Sequence, residues 1–152
     1  MFIVHHPDVT THHRGRPHNA ETLLLDPITK DLYIITKENV ASVFYLPYPQ
    51  RTDTTITLTA AERLPLPILT AGDISSDGTE ILLKDYGSIY YWRRAPGESV
   101  LHALMRPPVI EPCVAEAQGE AVCFTLDAKA YVTTSEFSSN VIPDFTRYRR
   151  KR

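Results

Sequence analysis

The chain has 152 residues, 43% hydrophobic and 22% charged, enough to bury one sizeable core. No apolar run approaches the roughly 18 residues a membrane-spanning helix requires, and Met1-Phe-Ile-Val-His-His6 lacks a signal-peptide layout, so the chain as written is expected in the cytosol, or exported if it derives from a longer precursor. Net charge is −2, yet Arg147, Arg149, Arg150, Lys151 and Arg152 crowd the last six positions and leave −7 for the rest. Without stacking aromatics interleaved on an exposed sheet, residues 149–152 read as a solvated basic tail, and neither nucleic acid nor membrane is expected as a partner.

In chain order, residues 1–17 read as a leading strand, Phe2-Ile-Val4, and a histidine-rich loop from His5 to Pro17. Five of the six histidines (His5, His6, His12, His13, His18) fall in the first 18 residues. Crowded imidazoles can hold zinc, nickel or copper. The pairs His5-His6 and His12-His13 are adjacent, however, and neighbours on a strand face opposite ways. The His-Glu-x-x-His spacing of zinc enzymes is absent, so a solvated loop is the better reading.

Three later stretches repeat one pattern: Asn19-Ala-Glu-Thr-Leu-Leu-Leu-Asp26, Thr70-Ala-Gly-Asp-Ile-Ser-Ser-Asp77 and Gly119-Glu-Ala-Val-Cys-Phe-Thr-Leu-Asp127. Aligning Leu25, Ile74 and Phe124 brings Glu21, Thr70 and Glu120 into register at separations of 49 and 50 residues. A period of roughly 50 suits the four-stranded blades of a β-propeller. The expected fold is therefore all-β, a partial propeller of three blades preceded by one strand of another.

Blade 1 is expected over 18–69, with an Asp26-Pro-Ile-Thr-Lys-Asp31 turn, strands over 32–36 and 43–46, and a half-buried outer strand over Thr54 to Ala60. Blade 2 spans 70–116, with a turn at Ser76-Asp-Gly78, strands over 80–84 and 88–92, and Val100 to Met105 as a fourth strand or a short helical turn before Pro107 and Pro108. Blade 3 spans 117–148 and is incomplete, with strands over 130–134 and 145–148.

Cys113 and Cys123 have no metal-ligand spacing. Cys123 alternates with Val122 and Phe124 and reads as a buried small hydrophobe, while a disulfide would need an oxidising compartment. Gly-x-Ser-x-Gly, Gly-x-Gly-x-x-Gly and the phosphate loop are all absent, which leaves the carboxylates of the inner strands. Glu21 and Glu120 share a register that lines a propeller's channel, and Asp73 lies near Thr70, their counterpart. Such oxygens suit calcium, which could polarise a phosphoryl or ester oxygen, whereas the structural alternative is carboxylates that cap backbone donors or hold a structural ion.

The succession over 19–37, with Gly-Asp-Ile-Ser-Ser-Asp-Gly (72–78), Gln-Gly-Glu-Ala-Val-Cys-Phe-Thr (118–125) and Thr-Thr-Ser-Glu (133–136), resembles uncharacterised β-propeller proteins related to phytase-like esterase and NHL-type propellers. The resemblance implies that Glu21 and Glu120 match the acidic residue opening each inner strand, while Thr70 departs from it. Members are typically longer, often exported, and mostly without established activity. Natural propellers close with four to eight blades, so this chain is expected to be a fragment of a longer propeller or to self-associate over its open blade flanks. Two readings of function follow. One is a non-catalytic scaffold binding a protein or small ligand; the other is a calcium-dependent phosphoesterase or esterase with Glu21, Asp73 and Glu120 near the metal.

Overall fold

A computed structural model describes residues 18–137 and 142–150, together with the backbone of 4–5. The expected Phe2-Ile3, the histidine loop over 6–17, residues 138–141 and the tail residues Lys151 and Arg152 lie outside the described residues, while the other two residues of the expected solvated tail are not free, Arg149 ending a strand and Arg150 pairing with Glu80.

β1 (Val4–His5) precedes a first antiparallel sheet of β2 (Ala20–Leu25), β3 (Leu32–Thr36), β4 (Ala41–Leu46) and β6 (Ala60–Leu64), in that spatial order. Between β4 and β6 in the chain, β5 (Ile56–Thr57) pairs in parallel with β1. The second sheet holds β7 (Ala71–Ile74), β8 (Glu80–Lys84), β9 (Ile89–Arg93) and β10 (Val109–Glu111), with the five-residue helix α1 (Val100–Leu104) inserted before β10. The third sheet has three described strands, β11 (Ala121–Phe124), β12 (Ala130–Thr134) and β13 (Thr146–Arg149). Apart from α1 the described chain is all-β.

Each sheet starts with the same device. After its first strand the chain turns through a residue of positive φ, Lys30 (66°), Gly78 (73°) or Ala128 (51°), and the next strand runs back antiparallel. Short polar side chains fix the turn. Asp77 Oδ1 accepts from the Ser75 hydroxyl at 2.7 Å and the Thr79 N–H at 3.0 Å, and Asp127 Oδ1 accepts from Thr125 at 2.7 Å and the Lys129 N–H at 3.1 Å.

β7 lies beside β2 on one side and β11 on the other, so the sheets stack face to face. Side chains alternate across each strand and so divide between the two junctions. Leu24, Tyr33, Ile35 and Val43 meet Ile74, Ile81, Leu83 and Trp92 in the first core; Ala71, Leu82 and Ile89 meet Val122 and Tyr131 in the second. Close approach of the first pair depends on Gly72. A Cβ there would stand 2.6 Å from Leu83 Cδ2, 2.8 Å from the Leu82 carbonyl oxygen and 3.0 Å from Leu24 Cδ2.

An arginine closes each junction. Arg94, directly after β9, donates through Nη1 to its own sheet at Gly78 O (2.8 Å) and to Asp26 Oδ1 of the first sheet (3.1 Å), while its Nη2 stands 3.0 Å from Asp26 Oδ2. Arg150, directly after β13, does the same one sheet on. It donates through Nη1 to Ala128 O at 3.1 Å and to Glu80 Oε2 at 2.8 Å, and through Nη2 to Glu80 Oε1 at 3.1 Å. The residue that follows the third strand of the first sheet is Pro47, which cannot make this contact.

Two local expectations are corrected, and one left open between strand and helical turn is decided for the helix. The alternating segment Thr54 to Ala60 is not the outer strand of the first sheet. Leu58, with Ile56 and Ala60, instead packs on Phe44 and Leu46 over that sheet's far face, and the ladder resumes with β6. Val100 to Met105 is helical, because Ser99 caps it by accepting from the His102 N–H at 3.1 Å and Val100, Ala103 and Leu104 fall on one buried face; the fourth strand comes after Pro108. Cys123 is exposed, not buried, since its side of β11 points away from the second sheet; both cysteines are free thiols.

Candidate functional site

Glu21 and Glu120 come together, and the cation between them is the protein's own. Lys37, one residue beyond β3, donates to Glu120 Oε1 at 2.8 Å and stands 3.6 Å from Glu21 Oε1. Tyr86 donates its hydroxyl to the same Glu120 oxygen at 3.0 Å, and its ring lies 5.1 Å from the ammonium. The cluster thus joins residues of all three sheets where the inner strands begin. Lys37 and Glu120 are mostly buried, with 15% and 17% of their side-chain surface accessible. Burial alone would lower the Lys37 pKa, but hydrogen bonding to Glu120 and Tyr86 outweighs it and raises the value. Glu120 moves the opposite way, held below the ordinary glutamate range mainly by the Lys37 hydrogen bond.

Asp73 has a different task. Its carboxylate accepts from the Phe124 N–H at 2.8 Å, tying β7 to β11, and from the Ile74 N–H at 2.9 Å. Burial pushes its pKa up against those two hydrogen bonds. Thr70, which takes the register of the two glutamates, donates to Gly119 O at 2.9 Å and so bridges the same junction. Among the described residues, no group of three or more His, Cys, Asp or Glu side chains is placed to hold a metal ion.

Below Thr70, Lys84 is fully buried. It donates to the Asp85 carbonyl at 2.8 Å and stands 3.5 Å from Glu116 Oε2, while Glu116 Oε1 accepts from the Thr133 hydroxyl. Each lysine is thus paired with a carboxylate, Lys37 with Glu120 and Lys84 with Glu116. A polar cleft lies at the opposite, turn end of the sheets. It encloses about 520 Å³ between the second and third sheets and is lined by Asp77, Thr79, Tyr91, Arg93, Glu111 and the Glu80–Arg150 pair.

Reading the sequence for carboxylates alone misses Lys37, Lys84, Tyr86 and the two junction arginines. A signal for the arginines was present: Trp92-Arg-Arg94 and Tyr148-Arg-Arg150 end their third strands alike, while Tyr45-Leu-Pro47 ends the first differently.

Across 86% of its length the chain superposes on Kuenenia stuttgartiensis hydrazine synthase with a TM-score of 0.56 and 12% sequence identity. At that identity the likeness is one of fold, and the chain spans about a third of the length of that structure, 34%. No protein-family model matches the chain. No curated protein matches it either.

Proposed function

We propose that the chain is a segment of a β-propeller, three blades side by side, and that it serves as a non-catalytic scaffold binding another polypeptide through its open sheet faces. One comparison carries the reading. Leu25, Ile74 and Phe124 are equivalent in the repeat; Ile74 is 8% exposed against the first sheet, whereas Leu25 is 56% exposed and its neighbour on the same face, Leu23, is 62% exposed. The kind of surface that mates inside the molecule is thus presented outward on the first sheet. An apolar face of this sort marks a contact surface. The inner-strand carboxylates favour the same reading, being committed to Lys37 and to backbone N–H groups.

Light scattering on the purified chain, with and without calcium, tests it. Association is expected, a second copy being the simplest occupant, and Leu23→Asp/Leu25→Asp should return the mass to that of a monomer. Equal monomeric masses for wild type and variant, with equal binding of a dye specific for apolar surface, would overturn the proposal.

A further inference from the structure

The third sheet differs from the other two at its outer edge. β4 is flanked by β6 and β9 by β10, both antiparallel, whereas β13 pairs only with β12 among the described residues. Among the described residues no strand pairs with the outer side of β13, and such a row of backbone N–H and C=O groups is a template for strand pairing. The edge is held firmly. Tyr148 stacks on Tyr131 with centroids 4.9 Å apart and accepts from the Val114 N–H at 2.9 Å, and the Arg150 N–H extends the ladder to Lys129 O at 3.0 Å. A strand already fixed in its bound shape loses little entropy when it gains a neighbour.

Charge sets the partner. Arg147 and Arg149 are exposed and lie on the face of β13 opposite Tyr148. Cross-strand register places Arg147 beside Val132, and Val132 beside the exposed Cys123, so a small apolar row ends in a basic rim. A second copy pairing β13 against β13 would bring these arginines together, and like charges opposed across strands are destabilising. The two fourth strands that the molecule does contain each carry a glutamate, Glu62 and Glu111.

We infer that the edge of β13 is a strand-addition site for an extended acidic peptide, which completes the third sheet as an antiparallel fourth strand and sets alternate carboxylates against Arg147 and Arg149. Main-chain hydrogen bonds supply the affinity and the arginines the choice of partner. The inference gives one partner of the scaffold its chemistry and rests on that reading. It can fail separately, because this edge is remote from the face of Leu23 and Leu25.

Fluorescence anisotropy with a labelled peptide alternating glutamate and valine tests it on the full chain. Binding should weaken as salt rises and fall on the order of tenfold in Arg147→Glu/Arg149→Glu, the expectation for two exposed ion pairs. A lysine–valine peptide should not bind the wild type, and N-methylation of alternate backbone nitrogens should abolish binding of the acidic peptide. Both arginines are exposed, so circular dichroism of the variant should match the wild type. Equal binding of the N-methylated peptide, or of a single-stranded oligonucleotide at the same salt, would reduce the surface to a plain basic patch and overturn the inference. So would an unchanged affinity in the double variant.

Discussion

Arg94 and Asp26 are 5% and 1% accessible, and their partnership has no solvent to fall back on. Removing one member leaves a buried charge uncompensated, so Arg94→Met should cost about 3–5 kcal/mol by urea unfolding, and adding Asp26→Leu should recover much of the loss. Lys37→Met should cost less, about 1.5–3 kcal/mol, the range for a hydrogen bond to a charged group. It also leaves Glu21 and Glu120 without their ammonium, so calcium should raise the melting temperature of this variant and not of the wild type. Two aspartates give opposite pH dependences. The Ser75 hydroxyl, then the Thr79 N–H and hydroxyl, hold Asp77 down to about 2, so its contribution is complete above the ordinary value of 3.8 and is lost as pH falls toward 2. Asp73 is raised by burial, so its contribution is complete below the ordinary aspartate value and is lost as pH rises through the folded value. Stability measured against pH for Asp77→Asn and Asp73→Asn should lose these two slopes separately.

At the scale of elements, inner strands were the most legible part of the sequence. Glu21, Thr70 and Glu120 recur at near-constant spacing because each stands at the start of an inner strand, and β7, which packs at a junction on both faces, has the least freedom of composition. Outer strands were less legible. Thr54 to Ala60 alternates as a strand should, but its apolar face covers Phe44 and Leu46 from outside, and alternation alone does not say which surface a segment covers. Val109–Glu111 is short and prolines flank it, so local pattern could not separate it from a loop. The site was half visible: the register brought Glu21 and Glu120 together, but a lysine one residue past the neighbouring strand carries no periodic signal. Gly72→Ala tests how tightly β2 and β7 approach. The added carbon meets backbone at Leu82 as well as two leucine methyls, so a loss of about 1–3 kcal/mol is expected in chemical denaturation.

For the whole molecule, the junctions repeat but the outer faces do not continue the arginine device. Pro47 stands where Arg94 and Arg150 stand in their sheets. On the third sheet, the positions equivalent to the Asp26 and Glu80 acceptors are Thr125 and Ala130, whose backbones pair at 2.9 Å as those of Asp26 and Asp31 do. A polypeptide docking on either flank must therefore rely on apolar contact and strand pairing, without a buried ion pair to fix its angle. Within the molecule both arginines point back to an earlier sheet, across 68 and 70 residues. At ribosomal rates these separations take roughly 3 to 14 seconds to synthesise. Each carboxylate thus leaves the ribosome before its arginine, while Lys37 of the first sheet meets Glu120 of the third across 83 residues. Assembly acquires a direction, since each junction closes only once its later half exists.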